Sequence, residues 1–291
     1  MRWWFVTLIM EYIYTNLGVF PKLGFGTYSV PKDKLQELIL EALRIGYTLF
    51  DTANKYKNEE LIGRVLHDTG YNRMNYLLET KVHAALLLGN LRYLRLNRKS
   101  PRSALHRACR NLRTDYIDVF MIHGFFKGYE NFLRRYIALK ELGLIKYIGL
   151  CNVNLHQLES LYAMRLLPDI VQVEIHPYHS NKPLIEFCHL HNIVVEARSP
   201  FAHGDAIVDW MKEPILQNIA NVHKATIPQV ILRWITQQEI VALPRTSNIH
   251  HLKENIQSFK ITLSEEEICA IDSVNKDKSY GYISFREYVK Q

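Results

Sequence analysis

Apolar positions along the chain alternate between two rhythms. Short runs of apolar and β-branched residues, the mark of buried strands, lie at 23–28, 47–50, 76–80, 116–122, 147–151, 170–175, 193–198 and 240–243. Between them, apolar residues recur at helical spacing. The stripe Leu35, Leu38, Ile39, Ala42 and Leu43 predicts a helix over 35–44, and similar stripes mark 59–67, 130–141, 155–165, 182–191 and 249–256. Strand then helix, repeated, predicts a parallel sheet. Eight such units predict a closed (β/α)8 barrel. Ahead of them, residues 12–20 alternate weakly about Asn16-Leu17-Gly18 and predict a short N-terminal β-hairpin. No linker or shift in composition divides residues 1–291, so a single barrel domain is expected.

Two segments fall outside the rhythm. The opening MRWWFVTLIM couples an Arg to an apolar run that stops at Glu11, with no small-residue cleavage site after it. It is too short to span a bilayer, and residues 1–9 read as a dispensable extension ahead of a start at Met10. The intact mass of the natively expressed protein checks this. Residues 83–102, HAALLLGNLRYLRLNRKSPR, interleave leucines with five basic side chains, Arg92, Arg95, Arg98, Lys99 and Arg102. Without a nucleic-acid-binding fold around it, the stretch reads as leucines inward and basic groups outward, and no nucleic-acid partner is expected.

Composition narrows the picture modestly. With 48% hydrophobic and 22% charged residues the chain has an ordinary soluble composition. The formal charge of +7 suits an anionic ligand without requiring a nucleic acid. Cys109, Cys151, Cys188 and Cys269 are scattered, with no zinc-like spacing. They read as free thiols in a reducing compartment, which predicts a cytoplasmic protein without a structural metal. Gly24-Phe25-Gly26 lacks the third glycine and the helix of a dinucleotide fingerprint.

In such barrels the active site forms at the C-terminal ends of the strands. Asp51 and Tyr56 follow the second strand, Lys81 the third and His123 the fourth, so they should share one rim. A lysine closing an apolar strand needs a partner, and Asp51 is the adjacent acid. An ammonium near a phenol favours the phenolate, so Lys81 is expected to pull Tyr56 below its usual pKa of ~10. His123 can donate from a ring nitrogen to a carbonyl oxygen.

The stretches PKLGFGTY, GYTLFDTANKYKNEELIG, LLETK, DYIDVFMIH, LIKYIGLCN, IVQVEIHPY, EARSP, LPRTSN and HLKEN occur in order along the chain. Through them the sequence resembles the aldo-keto reductases from about Leu17 to about Val274. The resemblance implies NADPH-dependent reduction of small aldehydes or ketones by a monomeric enzyme. It also implies a tetrad of Asp51, Tyr56, Lys81 and His123, with Tyr56 as general acid. Asn152 and Gln172 match the contacts to the nicotinamide carboxamide, and Ser199, Pro200, Phe201 and Gly204 match the loop beside the pyrophosphate. Arg245, Thr246, Ser247, His251 and Glu254 match the 2′-phosphate end, and Asn255 the adenine.

Several residues depart from the family pattern. Arg198 stands in place of the aromatic that stacks on the nicotinamide, Cys151 in place of Ser, His251 of Arg and Gly124 of Trp, and the tail past Val274 is brief. A guanidinium stacked on the ring would disfavour the oxidised, cationic nicotinamide, predicting tighter NADPH than NADP⁺ binding. A salt bridge to Glu174 or Glu196 would instead turn it away. His251 predicts blunted discrimination between NADPH and NADH, and Gly124 a missing pocket wall. A catalytically weak NADPH-binding scaffold or redox sensor is the alternative these departures feed.

Overall fold

The computed structural model describes residues 10–83, 100–124, 128–202 and 207–281. Residues 1–9, Gly204 and the basic residues at 92–99 lie outside the described residues. A hairpin, β1 (Tyr12–Thr15) and β2 (Gly18–Pro21), precedes eight parallel strands. These are β3 (Phe25–Gly26), β4 (Leu49–Asp51), β5 (Leu77–His83), β6 (Ile117–His123), β7 (Ile145–Cys151), β8 (Ile170–Glu174), β9 (Val194–Arg198) and β10 (Val241–Leu243). They pair in chain order from β3 to β10. Parallel bridges Leu23–Ala242 and Gly26–Arg245 join the first strand to the last, giving the expected (β/α)8 barrel with its N-terminal hairpin.

Around the barrel run α1 (Lys32–Ile45), α2 (Glu59–Asp68), α3 (Pro101–Leu112), α4 (Tyr129–Glu141), α5 (Leu155–Ala163) and α6 (Lys182–Leu190). They continue with α7 (Ile207–Trp210), α8 (Pro214–Val222), α9 (Ile227–Gln237), α10 (Ile249–Ile256) and α11 (Glu265–Ser273). Local signals set their ends: Asn154, Thr226 and Ser264 form capping boxes with Gln157, Gln229 and Glu267. None of the described helices is long and apolar enough to cross a membrane.

Two departures from the periodicity affect the site. Strand β5 runs to His83 and β6 to His123, so Lys81 and His123 belong to strands rather than to the loops after them. The helix at 101–112 begins within the segment that the pattern left as basic surface, started by Ser100 as N-cap and Pro101 in its first turn. At Gly63 of α2 an added Cβ would lie 2.4 Å from the Asn111 carbonyl oxygen, so α3 packs there backbone to backbone.

The period-2 alternation of each strand sends one set of side chains outward to the helices and the other into the barrel. The outward set joins the helices in the main apolar core. Inside, Leu49, Val119, Met121, Ile170, Val194 and Val241 fill the lower barrel with Ile13 and Phe20 of the hairpin. The Tyr147 hydroxyl ties this plug down by donating to the Leu17 carbonyl at 3.1 Å. Above that apolar floor the interior turns polar, and the site begins.

Candidate active site

The turn that carries Tyr56 is fixed by hydrogen bonds around Asn58. Its amide oxygen accepts from Thr52 Oγ1 at 2.6 Å, and its nitrogen donates to the Thr27 carbonyl and hydroxyl at 3.1 and 3.0 Å. Thr27 Oγ1 donates in turn to the Asp51 carbonyl at 2.8 Å. Residues 54–56 form a single 3₁₀ turn, and Lys57 closes it with φ of +56°. Asn58 therefore starts α2 without spending its side chain on the cap. The Tyr56 ring packs against Tyr28 at 5.0 Å and edge-on to His123 at 6.0 Å between centroids.

Lys81 is fully buried. Its ammonium is bonded to the Asp51 carboxylate, donates to the Thr52 carbonyl at 3.1 Å, and lies 3.0 Å from Glu79 Oε1. Burial brings its pKa down to about 8. The Tyr56 ring centroid is 5.7 Å from the ammonium. The sequence had suggested that this neighbour would lower the phenol; instead Tyr56 is raised, chiefly by burial, with Cys151 and Glu79 adding to it. At neutral pH Tyr56 is thus a protonated phenol. His123 is pushed down to about 2 by burial first, and further by Lys81, His83, Lys55 and Arg198. It is a neutral imidazole whose Nδ1 has no hydrogen-bond partner among the described residues.

A layer lower, Gln172 donates its amide to two buried carboxyls, Glu79 Oε1 at 2.6 Å and Glu196 Oε2 at 2.9 Å. Its amide oxygen lies 3.6 Å from the Cys151 thiol. The register pairs Gln172 with Glu196 and Glu174 with Arg198 across β8 and β9. Arg198 donates to Asn152 Oδ1 at 2.6 Å, Glu174 Oε2 at 3.2 Å and Ser199 Oγ at 3.3 Å. The structure therefore has the guanidinium in the salt bridge to Glu174, with its charge balanced. Asn152 and Ser199 both hold left-handed backbone, φ +59° and +50°, and Pro200 and Phe201 continue the chain from there.

On the rim beyond β10, Arg245 donates to the Tyr28 and Ser29 carbonyls at 3.1 and 2.6 Å, which draws the first and last barrel loops together. Thr246 Oγ1 accepts from the Asn248 amide at 3.0 Å and sits 3.3 Å from His251 Nδ1. Asn248 caps α10 through the His250 amide. Glu254 is used differently: its carboxylate accepts from Thr226 Oγ1 at 2.6 Å, ahead of α9. Asn255 is buried in the same helix. A cluster of Arg245, Thr246, Ser247 and His251 at a helix N-terminus, with Glu254 engaged elsewhere, has the donor character that a phosphate needs.

The Aldo/keto reductase family profile matches residues 22–276. The chain belongs to the aldo/keto reductase family. It is 31% identical to the glyoxal reductase of Bacillus subtilis (strain 168), with 90% of this chain and 91% of that one aligned. It is 30% identical to the methylglyoxal reductase DkgA of Escherichia coli O157:H7, over 91% and 93% of the two chains. Among solved structures it is similar to an aldo-keto reductase from a Medee basin deep-sea metagenome library, at TM-score 0.83 and 31% identity over 94% and 98% of the chains. A mutant of Gox0644 in complex with NADPH superposes at TM-score 0.80 with 28% identity, over 92% and 94%. As an aldo/keto reductase the chain is an oxidoreductase that uses NADP(H) on aldehydes or ketones.

Of the residues expected in this aldo/keto reductase site, the structure brings Asp51, Tyr56, Lys81 and His123 to one rim. Asn152 and Arg198 meet beside them. Gln172 is turned towards the lower acids. Glu79 was the residue the sequence reading missed. Its position two residues before Lys81 on one strand was the available signal, since period 2 puts both on the inner face.

Proposed function

We propose that this aldo/keto reductase reduces small carbonyl compounds with Tyr56 as general acid and His123 as the second donor to the carbonyl oxygen. The observation that carries this is a protonated phenol and a neutral imidazole packed edge to face above the Lys81–Asp51 pair. NADPH, when bound, supplies a hydride to the carbonyl carbon. Tyr56 gives its O–H proton to the oxygen as negative charge builds there, and a His123 N–H stabilises the same charge. Asp51 holds Lys81 in place, and Lys81 keeps positive charge beneath the phenol as it becomes phenolate.

Arg245, Thr246, Ser247 and His251 would hold the 2′-phosphate end of the cofactor and Asn255 the adenine. Asn152 would meet the carboxamide, and the 199–204 loop would lie beside the pyrophosphate. The names of the glyoxal and methylglyoxal reductases support small 2-oxoaldehydes as the substrate class. Four free cysteines support work in a reducing cytoplasm. We take the chain to act as one monomeric catalytic domain, without nucleic acid.

The test is oxidation of NADPH, followed by its near-ultraviolet absorbance, with methylglyoxal and with an aromatic aldehyde. Tyr56→Phe should lower kcat by roughly 10²–10⁴ while still binding NADPH. No turnover in the parent, with NADPH binding intact, would leave the scaffold or sensor reading in its place.

A further inference from the structure

The layer beneath Lys81 holds more acid than this mechanism uses. Glu79 on β5 and Glu196 on β9 are both fully buried, from strands on opposite sides of the barrel, and are bridged by the Gln172 amide. Each keeps one oxygen, Glu79 Oε2 and Glu196 Oε1, without a hydrogen-bond partner among the described residues. Two carboxylates this deep cannot both stay charged beside one ammonium that already serves Asp51. The two carboxyls are hydrogen-bonded to each other, which requires one proton between them. Burial, followed by the charge of Glu196, holds the Glu79 carboxyl well above the usual range.

The ammonium itself has three N–H donors. In the structure it donates to Asp51 and to the Thr52 carbonyl, and Glu79 Oε1 lies 3.0 Å away as an ion-pair neighbour. Among the described residues no hydrogen bond from it reaches Tyr56, whose ring centroid is 5.7 Å away, so Glu79 and Tyr56 compete for the remaining N–H. The other groups facing this layer are the Cys151 thiol from β7, neutral His123 from β6, and Arg198 from β9, whose charge Glu174 balances.

We propose that Glu79 is a positioning residue for Lys81. Carrying the proton it shares with Glu196, it leaves one Lys81 N–H to the Tyr56 hydroxyl; ionised, it draws that N–H away. The proposal rests on Tyr56 being the general acid. Carbonyl reduction therefore loses speed on the alkaline side when the shared proton leaves, before Tyr56 itself ionises.

Glu79→Gln and Glu196→Gln each leave a single negative charge in the layer, as the shared proton does, and neither can lose a further proton there. The experiment is the pH profile of kcat for the parent and both variants, together with infrared spectra of the cofactor-free proteins at neutral pH. The expected result is a protonated-carboxyl band in the parent that vanishes in each variant, and loss of the alkaline ionisation from both profiles. Over that limb Glu79→Gln should exceed the parent by roughly tenfold per pH unit, whereas Glu196→Gln, whose only charged carboxyl in the layer is Glu79, should stay flat at the parent's alkaline rate. No such band in the parent, or variant profiles superimposing on the parent's, overturns the proposal. Should Glu79→Gln fail to fold, Glu196→Gln still decides: a flat, slow profile supports the proposal, and a profile equal to the parent's overturns it. Turnover surviving in Tyr56→Phe would sink the general-acid reading while leaving the band in place, so the two failures are distinguishable.

Discussion

The two ends of the barrel interior are built from the same strands and do opposite things. At the lower end, Leu49, Val119, Ile170, Val194 and Val241 pack against Ile13 and Phe20 of the hairpin, with no charge among them. One or two inward positions further along, the same strands present Asp51, Lys81, Glu79, His123, Gln172, Glu196 and Arg198. The floor contributes stability through apolar burial and close packing. The upper layers place charges where solvation is poor, and every favourable contact there offsets a desolvation cost. On the proposed mechanism, stability and chemistry are separated along the barrel axis, and substitutions should sort by height.

The largest effect is expected for Lys81→Met. It removes the cation shared by Asp51 and Glu79, leaving buried acids uncompensated, so about 3–5 kcal/mol of stability should be lost in urea unfolding. Turnover should fall by at least ~10². Phe20→Ala should cost about 3–5 kcal/mol as well, yet leave KM for the aldehyde unchanged at a temperature where the variant is folded. A shifted KM there would break the separation between floor and site. Gly149→Ala probes the boundary: its new Cβ would lie 2.4 Å from Met121 Cγ, and overpacking of this kind costs about 1–3 kcal/mol. Thermal unfolding measures it.

The smallest effect is a pH dependence. Burial would raise the Glu174 carboxyl, but hydrogen bonds from His176 and the Tyr280 amide, the Arg198 charge and Ser279 outweigh it and hold it well below the usual 4.5. A carboxyl depressed on folding contributes stability above its unfolded pKa and loses that contribution as pH falls through and below it. Glu174→Gln should therefore flatten the acid limb of the stability curve below about pH 4.5, measured as urea midpoints at a series of pH values. An unchanged acid limb would mean that Glu174 is not tied as described.

Much of this contrast was visible in the alternation of the strands. Asp51, Lys81 and His123 were placed near one rim because parallel strands of a barrel end together. Their contacts were not visible. That Lys81 reaches down to Glu79 as well as across to Asp51 depends on the depth of both side chains in the barrel. Likewise Arg198 had two readings, stacked or paired, and the register that sets Glu174 beside it decides between them. The Tyr56 phenol was expected low because an ammonium was near, and it stands high chiefly because it is buried.

Periodicity, strand-end chemistry and the ordered motifs by themselves determined the barrel, the hairpin, the family and the four residues of the rim. These are properties of spacing along one chain, and spacing survives without coordinates. Only the tertiary structure decided which polar groups meet inside the barrel, because strands far apart in sequence face each other across its lumen. Burial then fixed their protonation: solvation depends on everything packed around a group, and no local stretch of sequence records it.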